Sequence, residues 1–150
     1  MSAAARQHTT DRPGHLIKQA QAALHAEMSR ALREHEVTLA QYAVLTALAE
    51  EPGLSNAELA RRAFITPQSM NENLNELARR GLIIRHPHPK HGRILRIELT
   101  GHGRSTQKDC DAAATIVEDR MLAGLNTEQR DQLVQTLRSC VSALTSGIGA

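Results

Sequence analysis

The chain of 150 residues has no tryptophan, one tyrosine and one phenylalanine. Its core must therefore be assembled from Leu, Ile, Val and Ala, which each bury less surface than an aromatic side chain. There are two cysteines, Cys110 and Cys140, far apart in sequence. That spacing suggests neither a disulfide framework nor a zinc site. No uninterrupted apolar run approaches the ~20 residues of a membrane span. Residues Met1 to Arg12 are polar and small, without the apolar core of a signal peptide. These absences point to a cytoplasmic protein with no membrane partner. Enzyme signatures are missing too: no Ser–His–Asp or Cys–His set, phosphate loop or paired-carboxylate pocket is readable. The expectation is no enzyme, no cofactor and no catalytic residue.

The formal net charge of +2 says little, but its distribution is informative. Residues 52–104 hold nine Lys/Arg against four acids, whereas the remainder holds nine against twelve. A basic middle flanked by acidic ends is the electrostatic pattern of a nucleic-acid-binding segment.

Helical periodicity covers most of the chain. A long helix is expected from about Gly14 to Glu34, with Leu16, Ala20, Ala23, Leu24, Ala31 and Leu32 on its apolar face. Another runs from Thr38 to Glu50 and stops at Pro52-Gly53. Ser55 and Glu58 form a capping box at the start of a short helix, and Phe64-Ile65 is expected to plug the turn after it. Thr66-Pro67 opens the next helix with a cap hydroxyl and a proline at the first helical position. Met70, Leu74 and Leu77 form its buried stripe, and Gly81 closes it at positive φ. Leu82-Ile83-Ile84 and Ile94 to Leu99 read as two strands around a turn from Arg85 to Arg93. Thr100 caps a helix reaching about Ala123-Gly124, and Thr127 caps the last, whose Leu133, Val134, Leu137, Val141 and Leu144 recur at helical spacing.

Two short helices joined by a tight turn, then a hairpin with a basic tip, make a shape that fits DNA. The face of the second helix opposite Met70, Leu74 and Leu77 carries Gln68, Ser69, Asn71, Glu72 and Asn75. Amides can read adenine bidentately and a carboxylate can accept from a cytosine amine.

Several motifs carry a family likeness: Leu59-Ala60-Arg61-Arg62, Leu77 through Arg80, Gly81-Leu82, Arg85, Pro87, Pro89, Arg93 and Leu99-Thr100. On these the chain resembles the MarR family of bacterial transcriptional regulators. The resemblance implies a mainly α fold: a winged helix-turn-helix, with a three-helix core and a two-stranded wing, between N- and C-terminal dimerisation helices. The division expected is a flexible tail over residues 1–12, a DNA-binding domain over 38–103, and dimerisation helices over 13–36 and 104–147. It also implies a homodimeric repressor on a pseudo-palindromic operator in double-stranded DNA, released by a small molecule such as an aromatic acid. The alternatives are a DNA-binding protein without a ligand response, or a thiol-oxidation sensor using Cys110 or Cys140.

The residues expected to contact DNA are Thr66, Gln68, Ser69, Asn71, Glu72, Asn75 and Arg79 from the helix and Lys90, His91 and Arg93 from the wing. The likeness suggests Arg85, His35 and Tyr42 for the effector. The chain departs from the family's pattern where His88 and His91 stand at commonly acidic wing positions and Gly92 where arginine is frequent. Glu72 likewise stands where arginine is often found, and Asn73 where an apolar residue is usual. Both cysteines read as inert packing residues, Cys110 because Asp109 and Asp111 flank it and Cys140 because it lies in an apolar helix. His86, His88 and His91 read as a basic wing rather than a metal site, since Lys90 would repel a cation.

Overall fold

The computed structural model describes residues 9–147. Most of the expected tail lies outside these residues; within them, Thr9–Asp11 forms a single 3-10 turn. The chain divides into two compact units, one reaching to Val117 and one beginning at Glu118. The first contains α1 (Pro13–Arg33), α2 (Leu39–Glu50), α3 (Asn56–Ala63), α4 (Pro67–Arg79), β1 (Ile83–Pro87), β2 (Leu95–Leu99) and most of α5 (Gly101–Met121). The second contains the end of α5 and α6 (Thr127–Thr145).

Local chemistry sets the helix starts. Thr38 with Gln41 and Ser55 with Glu58 form reciprocal capping boxes on α2 and α3. The backbone N–H of Ser55, donating to the Glu58 carboxylate at 2.8 Å, is the main reason that carboxyl sits below its usual range. Thr66 Oγ1 accepts the Ser69 N–H at 3.1 Å, with Pro67 next in line as the first residue of α4. At α6 the cap is Asn126, not the expected Thr127. Asn126 and Gln129 exchange both capping-box bonds at 2.9 Å, which moves Thr127 to the first helical position.

Helix ends repeat one device. The N–H groups of Val37, Ile65 and Leu82 donate to the carbonyls of Leu32, Ala60 and Leu77, five residues back. The residue before each donor is left-handed: Glu36 at φ 55°, Phe64 at φ 56° and Gly81 at φ 72°. This is the Schellman arrangement, in which an apolar residue follows the left-handed one and packs back on the helix. It corrects one expectation. Only Ile65 plugs the turn, packing on the core, while Phe64 is turned outward and is 94% exposed.

The main core joins Leu32, Leu45, Leu48, Leu59, Met70, Leu74, Leu77, Leu82 and Ile97, with Cys110 among them. A smaller cluster sets Met28 of α1 against Ala114 and Val117 of α5. The sequence's shortage of aromatics is met by aliphatic packing alone. Thr100 locks the junction after β2: its hydroxyl donates to the Gly81 carbonyl at 2.6 Å and accepts the Gly103 N–H at 2.9 Å. Gly103 is buried against the Leu82 carbonyl, where any Cβ would overlap the oxygen.

β1 is longer than expected at its far end and starts one residue later. Arg85 pairs with Ile97, His86 with Arg96 and Pro87 with Leu95, so three residues read as turn belong to the strand. Pro87 is tolerated because it ends an edge strand and needs no ladder donor there. On its other edge β2 meets Leu54: Gly53 donates to the Ile97 carbonyl at 2.9 Å and Ile97 donates to that of Leu54 at 3.0 Å. The base of the wing is thus bonded on both sides.

In the second unit, α5 ends at Met121 rather than at Ala123-Gly124, and Arg130 donates to the Leu122 and Leu125 carbonyls of the connecting turn. No residue of α6 is buried. Val134, Leu137, Val141 and Leu144 are exposed on it. Cys140 is exposed within the single chain.

Candidate nucleic-acid interface

α4 is held from behind and bare in front. Met70, Leu74 and Leu77 are buried, while Gln68, Asn71, Glu72, Asn75 and Arg79 are exposed. At about 100° per residue, these five fall within an arc of roughly 100°. Of the expected contacts, Ser69 alone leaves that face in part: it is half-buried, and its carbonyl accepts from Asn73 Nδ2 at 2.9 Å. That bond also explains how Asn73 occupies a position inclined toward the core. Thr66 is exposed beside the helix start with its hydroxyl committed to the cap.

The wing is drawn against this face. Arg85 and Ile83 lie on the same side of β1, which faces α4, and Arg85 Nη2 donates to Asn75 Oδ1 at 2.6 Å. Arg85 and Arg93 line one cleft of about 360 Å³ with Asn71, Ser55, Asn56 and Ala57. Two guanidinium groups and two amides thus meet where the wing approaches the helix.

At the wing tip, His88 Nδ1 accepts the N–H groups of Lys90 and His91 at 3.1 and 3.2 Å. The His88 N–H donates to the Ile94 carbonyl at 2.8 Å. Lys90, His91 and Arg93 are exposed around this turn. His86 instead faces Glu98 across the strands, Nε2 to Oε2 at 3.3 Å. The three wing histidines therefore do different work: His86 faces Glu98, while the His91 ring lies against that of His88, centroids 5.2 Å apart, at the exposed tip.

Arg79 is paired within its own helix. Its Nε and Nη2 donate to both oxygens of Glu76 at 2.9 and 2.6 Å. The bond holds the Glu76 carboxyl below its usual range and the guanidinium above its own. Arg80 points the other way, donating to the Glu36 carbonyl at 2.6 Å in the turn between α1 and α2. The end of α4 is thereby fastened to that turn.

A sequence profile of the MarR family matches residues 35–94, which run from the end of α1 to the wing. The HTH-type transcriptional repressor Rv2887 of Mycobacterium tuberculosis is 37% identical over 124 residues, 83% of this chain and 89% of that protein. The chain belongs to the MarR family. Among solved structures, Rv2887 in complex with p-aminosalicylic acid superposes with a TM-score of 0.74 at 34% identity, covering 87% of this chain and 99% of that one. The repressor CouR bound to a 23-mer DNA duplex gives 0.81 at 28% identity, covering 93% and 99%.

Within this MarR-family fold, the three residues suggested for the effector are not gathered. Arg85 lines the cleft beside α4, which neither His35 nor Tyr42 lines. The His35 carbonyl faces Arg80, and Tyr42 donates to Asp111 Oδ1 at 2.8 Å. Burial first, and that bond second, push the Tyr42 hydroxyl up to about 12. A different cleft, of about 460 Å³, opens between α1 and α2 and is lined by His25, Ser29, Arg33, Glu36, Val37 and Thr38. Sequence reading missed it because its walls come from two helices whose approach depends on the tertiary fold.

Cys110 is fully buried, and burial followed by the Asp109 charge raises its thiol above the usual range. A buried, protonated thiol is a poor nucleophile, which opposes oxidation sensing at this position. Among the described residues no three His, Cys, Asp or Glu side chains come together as metal ligands, and no helix is long and apolar enough to cross a membrane.

Proposed function

We propose that this protein is a homodimeric, cytoplasmic transcriptional repressor that reads a pseudo-palindromic operator and releases it on binding a small aromatic acid. The observation that carries the reading is the bare arc of Gln68, Asn71, Glu72, Asn75 and Arg79 beside the Arg85–Arg93 cleft. The polar helix enters the major groove, with Gln68, Asn71 and Glu72 toward the base edges. Lys90, His91 and Arg93 follow the backbone into the neighbouring minor groove, where an arginine reads width. Thr66, Ser69 and Arg79 lie toward phosphates.

Dimerisation is supported by Val134, Leu137, Val141 and Leu144, an apolar series left exposed on a helix with no buried residue. Such a face needs covering. Two copies would present paired half-sites about one helical turn apart. The effector reading is supported by the α1–α2 cleft. Its Arg33 can pair with a carboxylate and its Val37 and Leu39 can hold a ring. The relative Rv2887 has been crystallised with p-aminosalicylic acid.

The test is an operator selection with the purified chain, followed by anisotropy titrations across salt and with salicylate. The expected result is an inverted repeat, affinity falling steeply with salt, and release by the acid. Salicylate should also raise the melting temperature, and Arg33→Ala should abolish that rise. Selection of no sequence, or of a single unpaired half-site, overturns the reading.

A further inference from the structure

The chain's one phenylalanine stands at the surface, 94% exposed, although aromatic side chains are what its core lacks most. Its backbone is left-handed at φ 56°, a conformation that a residue with a Cβ adopts at a cost and that glycine adopts freely. At the equivalent end of α4 the chain does use glycine, Gly81. Phe64 is not needed for the turn's apolar contact, which Ile65 supplies. The left-handed backbone itself closes α3, just as Glu36 at φ 55° closes α1, but the turn makes no use of the ring, which is held almost wholly in water.

Its position points to what the ring can do. Phe64 is two residues before Thr66, the cap of α4, and four before Gln68, the first exposed residue of the bare arc. The N-terminal end of a recognition helix is the part that meets base edges, so on the DNA-binding reading above an exposed side chain two residues before the α4 cap would lie near the mouth of the major groove. A phenyl ring offers no hydrogen bond to a base. The apolar group displayed on the floor of that groove is the C5 methyl of thymine. We propose that Phe64 packs its ring against a thymine C5 methyl in each half-site, a specificity contact outside the polar face of α4. The inference rests on the DNA-binding reading above.

The test uses the full-length protein and the operator it selects, with each thymine replaced in turn by uracil, which removes only the methyl. Affinities are measured for the wild type, Phe64→Gly and Phe64→Ala. In the wild type one position per half-site should lose about fourfold, the worth of one buried methyl group, and about sixteenfold with both half-sites changed. Both variants should bind the natural operator several-fold more weakly and show no further loss at that position, with the other uracil effects unchanged. Phe64→Gly should melt no lower than the wild type, because glycine suits the left-handed backbone. Identical uracil profiles in wild type and Phe64→Gly overturn the proposal. So does weaker binding without any methyl dependence, which is the mark of a ring lying on deoxyribose. If the wild type selects no operator at all, the DNA-binding reading itself has failed, before any variant is compared.

Discussion

Arg85 on β1 donates to Asn75 on α4 at 2.6 Å, so the wing and the reading face of the recognition helix are joined by one hydrogen bond between exposed side chains. The bond ties a side chain of β1 to one of α4, and it orients the Asn75 amide by occupying its oxygen. Asn75 then has its NH₂ left to donate outward.

Arg85→Ala and Asn75→Ala should each weaken operator binding while changing stability by about 1 kcal/mol or less, as expected for an exposed pair. A double-mutant cycle in the binding free energy should show coupling of about 0.5–3 kcal/mol. Simple additivity would mean that helix and wing dock independently.

Arg79 is neutralised in the free protein by Glu76, which grips both its Nε and Nη2. Glu76→Gln removes that competitor and frees the guanidinium for phosphate. Affinity for non-operator DNA should rise, and the slope of log affinity against log salt should steepen by about one per subunit. An unchanged salt slope would place Arg79 away from the backbone.

Gly103→Ala and Gly81→Ala separate two reasons for glycine. At Gly103 the Cβ overlaps the Leu82 carbonyl, backbone that cannot turn aside. A loss of 1–3 kcal/mol or more is expected. At Gly81 the space is open but φ is 72°, so the cost should be nearer 1–2 kcal/mol from backbone strain alone. Denaturant melts that rank Gly81→Ala as the more damaging would contradict this packing of α5 on the start of β1.

Tyr42 donates to Asp111, linking α2 to α5, and its hydroxyl is pushed up to about 12, mainly by burial. The folded state therefore holds the phenolic proton more tightly than the unfolded chain, where the ordinary value is 10.0. This contribution to stability is complete below about pH 10 and lost as pH rises through about 12. Tyr42→Phe should be less stable than the wild type at pH 8 and should lose less stability between pH 10 and 12. Parallel curves for the two proteins would show that the bond does not hold in solution.

Features written within four or five residues were legible in the sequence. The caps at Ser55, Thr66 and Thr100, the start of α2 at Thr38, the stripe of Met70, Leu74 and Leu77, and the turn at Gly81 all follow from local hydrogen bonding and periodicity. Where two neighbouring residues could serve equally, the sequence did not decide. Asn126 and Thr127 are both good caps, and Phe64 and Ile65 are both apolar. Only the finished backbone shows which one turns inward. Arg85 to Pro87 looked like turn because of their composition, and tertiary pairing with Leu95 to Ile97 overrode it. The Arg79–Glu76 pair, at i, i+3 spacing, was not among the sequence expectations, which gave Arg79 only as a DNA contact. Nor was the α1–α2 cleft, since His25 and Thr38 are brought together only when both helices have packed.

The recognition helix takes its definition from its two ends and its back: Thr66 and Pro67 begin it, Gly81 finishes it, and Met70, Leu74 and Leu77 anchor it. Of these only Thr66 is also proposed to face DNA, and there toward phosphate rather than a base edge. Gln68, Asn71 and Glu72 can therefore be exchanged for other polar residues with little effect on whether the chain folds. Reading and standing are separable properties in this protein. A lineage carrying this scaffold can move to new operators by drift on three or four surface positions, without first acquiring spare stability to spend on the change.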